Sequence, residues 1–154
     1  LVLAAADQGS KWWILNHFVL GERRVVIAGF FDVVYWRNTG AAWGMFAQGT
    51  FWLGALSFVV LALMAWQFYQ LTSGRRERVI GLALVLGGIV GNLIDRVGRG
   101  AVVDFLLFYY RTFQWPAFNI ADSAITAGVF LYVVSVLLEG AEKPARRTTA
   151  PETP

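Results

Sequence analysis

Six ionisable residues, Asp7, Lys11, Asp95, Arg96, Asp104 and Asp122, lie within or beside long apolar stretches of a 154-residue chain. Removing an ionised group from water is costly, so each needs a partner or a chemical task. The chain has a single histidine, His17, and no cysteine. That disfavours Ser-His-Asp and Cys-His nucleophiles and histidine- or thiolate-rich zinc sites, and leaves carboxylate chemistry or a serine-lysine pair. Ser10 and Lys11 are adjacent, so on a helix they point about 100° apart and make a poor pair. Asp7 and Lys11, four residues apart, share a helical face and suit a buried ion pair. Two aspartates held close can hydrolyse a peptide bond. Their repulsion keeps one protonated, so the ionised member activates water while the acid hydrogen-bonds the scissile carbonyl and then assists the leaving amine. Structural ion pairing and a cation site are the other uses open to the same carboxylates.

The elements that must position these groups read as membrane helices. A hydrophobic content of 57% and a mean hydropathy of +0.55 exceed what a soluble globule of this size carries. The pattern predicts four spans, a truncated one over about residues 1–19 with residues missing upstream, then 51–70, 79–97 and 120–138. Arg75, Arg76, Arg78, Lys143, Arg146 and Arg147 flank these spans, and read as topology signals rather than nucleic-acid contacts. They place both termini in the cytoplasm and the longer loops, 21–50 and 98–119, outside. Asn92, Asp95 and Arg96 then close the third span, Asn119 and Asp122 open the fourth, and Asp104 lies between them, all at the outer face. Residues 24–36 have strand composition and end at the turn-prone Asn38, Thr39 and Gly40. Residues 105–118 have the composition of an aromatic segment at headgroup level, within a loop, 98–117, that is expected to act as a lid. Gly87 and Gly91 form a small-residue face for close helix approach. The domain is expected to cover 1–140, with 141–154 a disordered cytoplasmic tail.

Five segments, DQGSK (7–11), NTGAAWG (38–44), GNLIDR (91–96), VVDF (102–105) and FNIADSAI (118–125), resemble in order and spacing the lipoprotein signal peptidase (signal peptidase II) family. The resemblance covers nearly the whole chain. It implies an α-helical integral membrane protein of four transmembrane helices with a small extracytoplasmic β-sheet cradle, in the bacterial cytoplasmic (inner) membrane. It implies removal of signal peptides from prolipoproteins just before a diacylglyceryl-modified cysteine, with Asp104 and Asp122 as the catalytic pair. Asn38, Asn92, Arg96 and Asn119 would hold the peptide backbone and the site's hydrogen bonds, with Asp95, Asp7 and Lys11 in support. Trp43 stands where the family usually has phenylalanine. The expected partners are lipid-modified prolipoproteins and membrane lipids, with no nucleic acid, no obligate protein partner, no metal and no organic cofactor. The competing reading is a small ion- or proton-coupled transporter using the same carboxylates. A non-catalytic scaffold would not need Asn and Asp gathered at one face.

Overall fold

The computed structural model describes residues 2–40 and 49–142. Helix α1 (Val2–His17) buries Ala4, Asp7, Lys11 and Ile14, positions spaced by three or four that share one face. The Asp7/Lys11 pair therefore faces the protein and not lipid. Helix α2 (Thr50–Thr72) is apolar all round and buries only Thr72. Helix α3 (Arg76–Arg99) is central and packs against α1, α2 and α4 (Ile120–Glu142). Among the described residues, α3 and the 120–139 part of α4 are long and apolar enough to cross a bilayer, while the apolar part of α2, Thr50–Trp66, is shorter.

Missing side chains on α3 permit its close contacts. A Cβ on Gly88 would strike the Ala121 carbonyl oxygen and Ile125, and one on Gly81 would sit 2.8 Å from the Gly128 oxygen. Gly87 and Gly91 do form a small-residue face, but toward α1. Leu3 lies 2.8 Å from a Cβ built on Gly87, and Asp7 Oδ2 lies 2.6 Å from one on Gly91. The helix ends at Gly100, whose φ of 70° is left-handed, a turn that glycine makes without steric cost. It delivers the chain into a strand.

That strand, β3 (Val102–Tyr110), pairs antiparallel with β2 (Phe31–Asn38), with β1 (Arg23–Ile27) beyond β2 and β4 (Phe113–Gln114) on the far side of β3. The sheet expected over 24–36 is present, but residues 102–110 join it instead of lying as a surface segment. Val103 and Phe105 pack on Ile14 and Phe18 of α1, and Leu107 is fully buried, so this stretch is a fixed strand and not a hinged lid. Ladder pairing with β2 satisfies its backbone groups, which a mobile lid would leave to water. Arg78 also departs from expectation. It is buried, donates to Ser135 Oγ at 3.2 Å and pairs with Glu139, so it joins α3 to α4 as well as adding positive charge. Trp43, the rest of residues 41–44 of the NTGAAWG segment, and tail residues 143–154 lie outside the described residues. The first two residues of the expected tail continue α4.

Candidate active site

Asp104 projects from β3 and Asp122 from the first turn of α4, so a strand end and a helix start bring the two carboxyls together. Asn119 is the N-cap of α4. Its Oδ1 accepts from the Asp122 N–H at 3.0 Å, and Asp122 Oδ2 accepts from the Asn119 N–H at 3.3 Å, the reciprocal pattern of a capping box. The Asn119 Nδ2 donates to Asp104 Oδ1 at 2.8 Å. One asparagine thus fixes both carboxyls. The Asn38 Nδ2, at the end of β2, donates to Asp104 Oδ2 at 3.0 Å, while its Oδ1 accepts from the Gly40 N–H. The Asn92 Nδ2, from α3, donates to Asp122 Oδ1 at 2.7 Å.

A fully buried ion cluster lies behind these asparagines. The Lys11 ammonium donates to Asp7 and Asp95, each at 2.8 Å, and to Asn92 Oδ1 at 3.0 Å. With its oxygen committed to Lys11, Asn92 must turn its NH2 toward Asp122. Asp7 Oδ1 accepts from the Ala121 N–H at 3.0 Å, holding the start of α4, and Asp95 Oδ2 accepts from the Val103 N–H at 3.1 Å, holding β3 beside Asp104. The supporting residues act through backbone, one on each strand or helix that carries a catalytic candidate. Arg99 supplies the second positive charge through its pair with Asp95, so two cations face two carboxylates. Buried charges persist only when paired and hydrogen-bonded in this way.

Gln8, Arg99 and Arg37 were not singled out from sequence. Gln8 donates to Asp7, Asp95 and the Gly91 carbonyl and accepts from Arg99, whose own carbonyl accepts from Arg37. The i,i+4 spacing of Asp95 and Arg99 was the available signal. His17 bonds the Trp13 carbonyl and stacks on its ring, a local structural role.

Asp104 is 4% exposed. Burial first, and then the charge of Asp122, push its carboxyl up to about 7, against the opposing pull of Asn38, Asn119 and Lys11. A carboxyl with that pKa exchanges its proton near neutrality, as acid-base catalysis requires. Each of its oxygens accepts one amide N–H, from Asn38 and from Asn119. That cleft, of about 760 Å³, is lined by Asn38, Asn92, Arg96 and Asp122 at its polar end, by Trp115 and Phe118, and by Ser57, Ile89, Ile125 and Phe130 along the helices. Arg96 lies among the three acidic groups Asp95, Asp104 and Asp122 and interacts with the charge of each. All nine residues expected at the site are thus gathered in one hydrogen-bonded and electrostatic neighbourhood.

The family model described as signal peptidase (SPase) II matches residues 1–138. The chain belongs to the signal peptidase II family. Among curated relatives, the lipoprotein signal peptidase of Bacillus pumilus is 42% identical over 151 residues, covering 96% of this chain and 95% of the relative. That of Bacillus subtilis is 36% identical, covering 93% of each, and that of Serratia marcescens is 42% identical, covering 89% of this chain and 81% of the relative. Two solved bacterial membrane enzyme structures share the fold. One has a TM-score of 0.86 at 30% identity, covering 94% of this chain and 88% of that one, and the other 0.77 at 31%, covering 88% of each. Signal peptidase II membership, with two membrane-length apolar helices, places the chain in a membrane as a peptidase.

Proposed function

We infer that this protein is an aspartic endopeptidase that removes signal peptides from prolipoproteins, cutting just before a diacylglyceryl-modified cysteine. The observation that carries this reading is Asn119, which donates to Asp104 while forming a reciprocal cap with Asp122, a residue that lines a largely apolar cleft. Below about pH 7 the pair holds a proton, and the two carboxyls titrate as a unit. The ionised carboxylate takes a proton from water as the water oxygen bonds to the scissile carbonyl carbon. The protonated carboxyl hydrogen-bonds the carbonyl oxygen, and the C–N bond then breaks as the amine nitrogen gains a proton. Arg96, Asn38 and Asn92 line the route of the peptide backbone and polarise or orient it. The chain's own residues supply all of these steps.

The domain runs to the end of α4 at Glu142, followed by the cytoplasmic tail 143–154, and four helices cross the bacterial inner membrane. Of the two additional spans, α1 and α2, the bare faces of α2 support its own, since Phe51, Trp52, Trp66 and Tyr69 are all at least 75% exposed, a state suited to lipid. The basic turn before α3 puts both termini in the cytoplasm and the site at the extracytoplasmic face. There the substrate helix stays in lipid while the scissile bond meets water. No partner beyond the lipid-modified substrate and membrane lipids is needed. A transporter would place its carboxylates near mid-membrane, whereas Asp104 lies on the sheet and Asp122 in the first turn of its helix.

The test is cleavage of a diacylglyceryl-modified prolipoprotein by the detergent-solubilised protein beside Asp104→Asn and Asp122→Asn, each checked for folding. Both variants are expected to lose at least about 100-fold in kcat, the scale of general acid-base catalysis. Cleavage at parental rates by either folded variant would remove the dyad.

A further inference from the structure

Asn38, which donates to Asp104, is held by its two chain neighbours as well as by the sheet. The β2–β3 ladder is irregular between Val33 and Trp36, so residues 36–38 pair with 102–104 as a short ladder of their own. Past that break, each neighbour of Asn38 bonds a different helix. Arg37 donates from Nη2 to the carbonyl of Arg99, the last residue of α3, one of the carbonyls that a helix end leaves without a partner. The Thr39 carbonyl accepts from Oγ1 of Thr50, the first residue of α2, at 2.7 Å. Asn38 is thus slung between the Thr50 end of α2 and the Arg99 end of α3, the two helices that bring Ser57 and Ile89 to the cleft.

We propose that Arg37 and Thr50 are positioning residues for the acid pair, which aim the Asn38 amide at Asp104 by fixing the chain on either side of it. The proposal rests on the peptidase reading given above. Asn38 Oδ1 accepts from the Gly40 N–H at 3.0 Å, so the plane of the amide follows the backbone of residues 37–40. A shift of that backbone swings the NH2 away from Asp104 Oδ2, its partner at 3.0 Å, and a hydrogen bond weakens steeply as its angle closes. Among the described residues neither Arg37 nor Thr50 bonds a carboxylate, so both act through Asn38. Both contacts are exposed. Water can therefore replace either partner and the fold survives, but water does not fix a direction, and catalysis is sensitive to small misplacements. The charged groups around Asp104 are Asp122 from α4, Lys11 from α1, and Asp95 and Arg96 from α3, and neither substitution tested below removes any of them.

The test titrates the full chain in detergent with 13C-labelled aspartate carboxyls, the Asp104 signal being the one lost in Asp104→Asn. Thr50→Val keeps shape and charge and removes only the donor. Arg37→Met removes the other contact, and Arg37→Lys keeps a cationic donor there. In the parent, Asp104 titrates at about 7. Thr50→Val and Arg37→Met should each raise it by about half a unit, less than Asn38→Leu, because they loosen the same bond without deleting it. Arg37→Lys should recover most of that shift. In an Asn38→Leu background Thr50→Val should leave Asp104 in place, since the bond through which it acts is gone. An unmoved Asp104 in either folded variant, with only the melting temperature lowered, refutes the role given to that residue, and in both it overturns the proposal. A Thr50→Val shift that survives in the Asn38→Leu background overturns it too. The alkaline limb of lipopeptide cleavage should move with the titration. A parent that cleaves nothing defeats the peptidase reading, while the titration still decides whether Arg37 and Thr50 set the bond.

Discussion

Replacing Asn38 by leucine keeps the side chain's bulk and removes the amide that donates to Asp104 Oδ2 at 3.0 Å. A hydrogen bond to the ionised form lowers a carboxyl's pKa, so its loss raises it. Hydrogen bonds to charged groups contribute about 1.5–3 kcal/mol, and one pKa unit corresponds to about 1.4 kcal/mol. The Asp104 carboxyl, already at about 7, should move up by about one unit or more. The proposed mechanism needs one proton on the pair, so the alkaline limb of kcat/KM should shift from near pH 7 to about pH 8 or above. The stability consequence has a definite sign. The folded-state pKa exceeds the ordinary value of 3.8, so stability is lost as pH rises from about 4 through 7 and is flat beyond. In Asn38→Leu that loss continues through the higher pKa. The assay is cleavage of a lipopeptide from pH 5 to 9.5 in detergent, with melting temperatures at each pH. An alkaline limb that stays in place, or moves acid, in a folded variant would refute the role given to Asn38.

Lys11→Met removes a cation shared by Asp7, Asp95 and Asn92 and leaves two buried carboxylates with too little positive charge. The expected cost is about 3–5 kcal/mol, read as a large fall in melting temperature and partly recovered by adding Asp7→Asn. A melting temperature within a degree or two of the parent would show that the cluster is not ionised as described. Gly88→Ala places a methyl against the Ala121 carbonyl and 2.7 Å from Ile125 Cγ1, costing about 1–3 kcal/mol by overpacking. It should also lower kcat, because Ala121 precedes Asp122. Unaltered melting and turnover would mean that α3 and α4 are free to separate at this point.

The carboxyl pair was legible because it depends on short segments, VVDF and FNIADSAI, lying near the ends of apolar runs. The supporting roles of Asp7 and Asp95 were legible only as roles. Their targets, the N–H groups of Ala121 and Val103, are backbone atoms with no signature in sequence. The strand Val102–Tyr110 was hidden by its composition. Apart from Asp104 its residues are apolar or aromatic throughout, so the alternation that betrays a half-exposed strand is absent. Arg78 read as a topology charge because sequence does not show that Ser135 and Glu139 reach it from the next helix.

The polarity of the hydrogen bonds around the carboxyls limits how the enzyme can be silenced without disturbing it. Every protein group named against Asp104 and Asp122 is a donor. Alanine at position 122 would strip the cap from α4 as well as the acid, and an amide there must point its NH2 at another donor. The corner at Asp104 is different, because Asn38 opposes it across a single contact and turns its own oxygen to the Gly40 N–H. Asp104→Asn combined with Asn38→Asp exchanges donor and acceptor across that contact and keeps a complementary partner for every bond in the corner. Such a transposed pair is the form in which to hold an uncut substrate for structure determination.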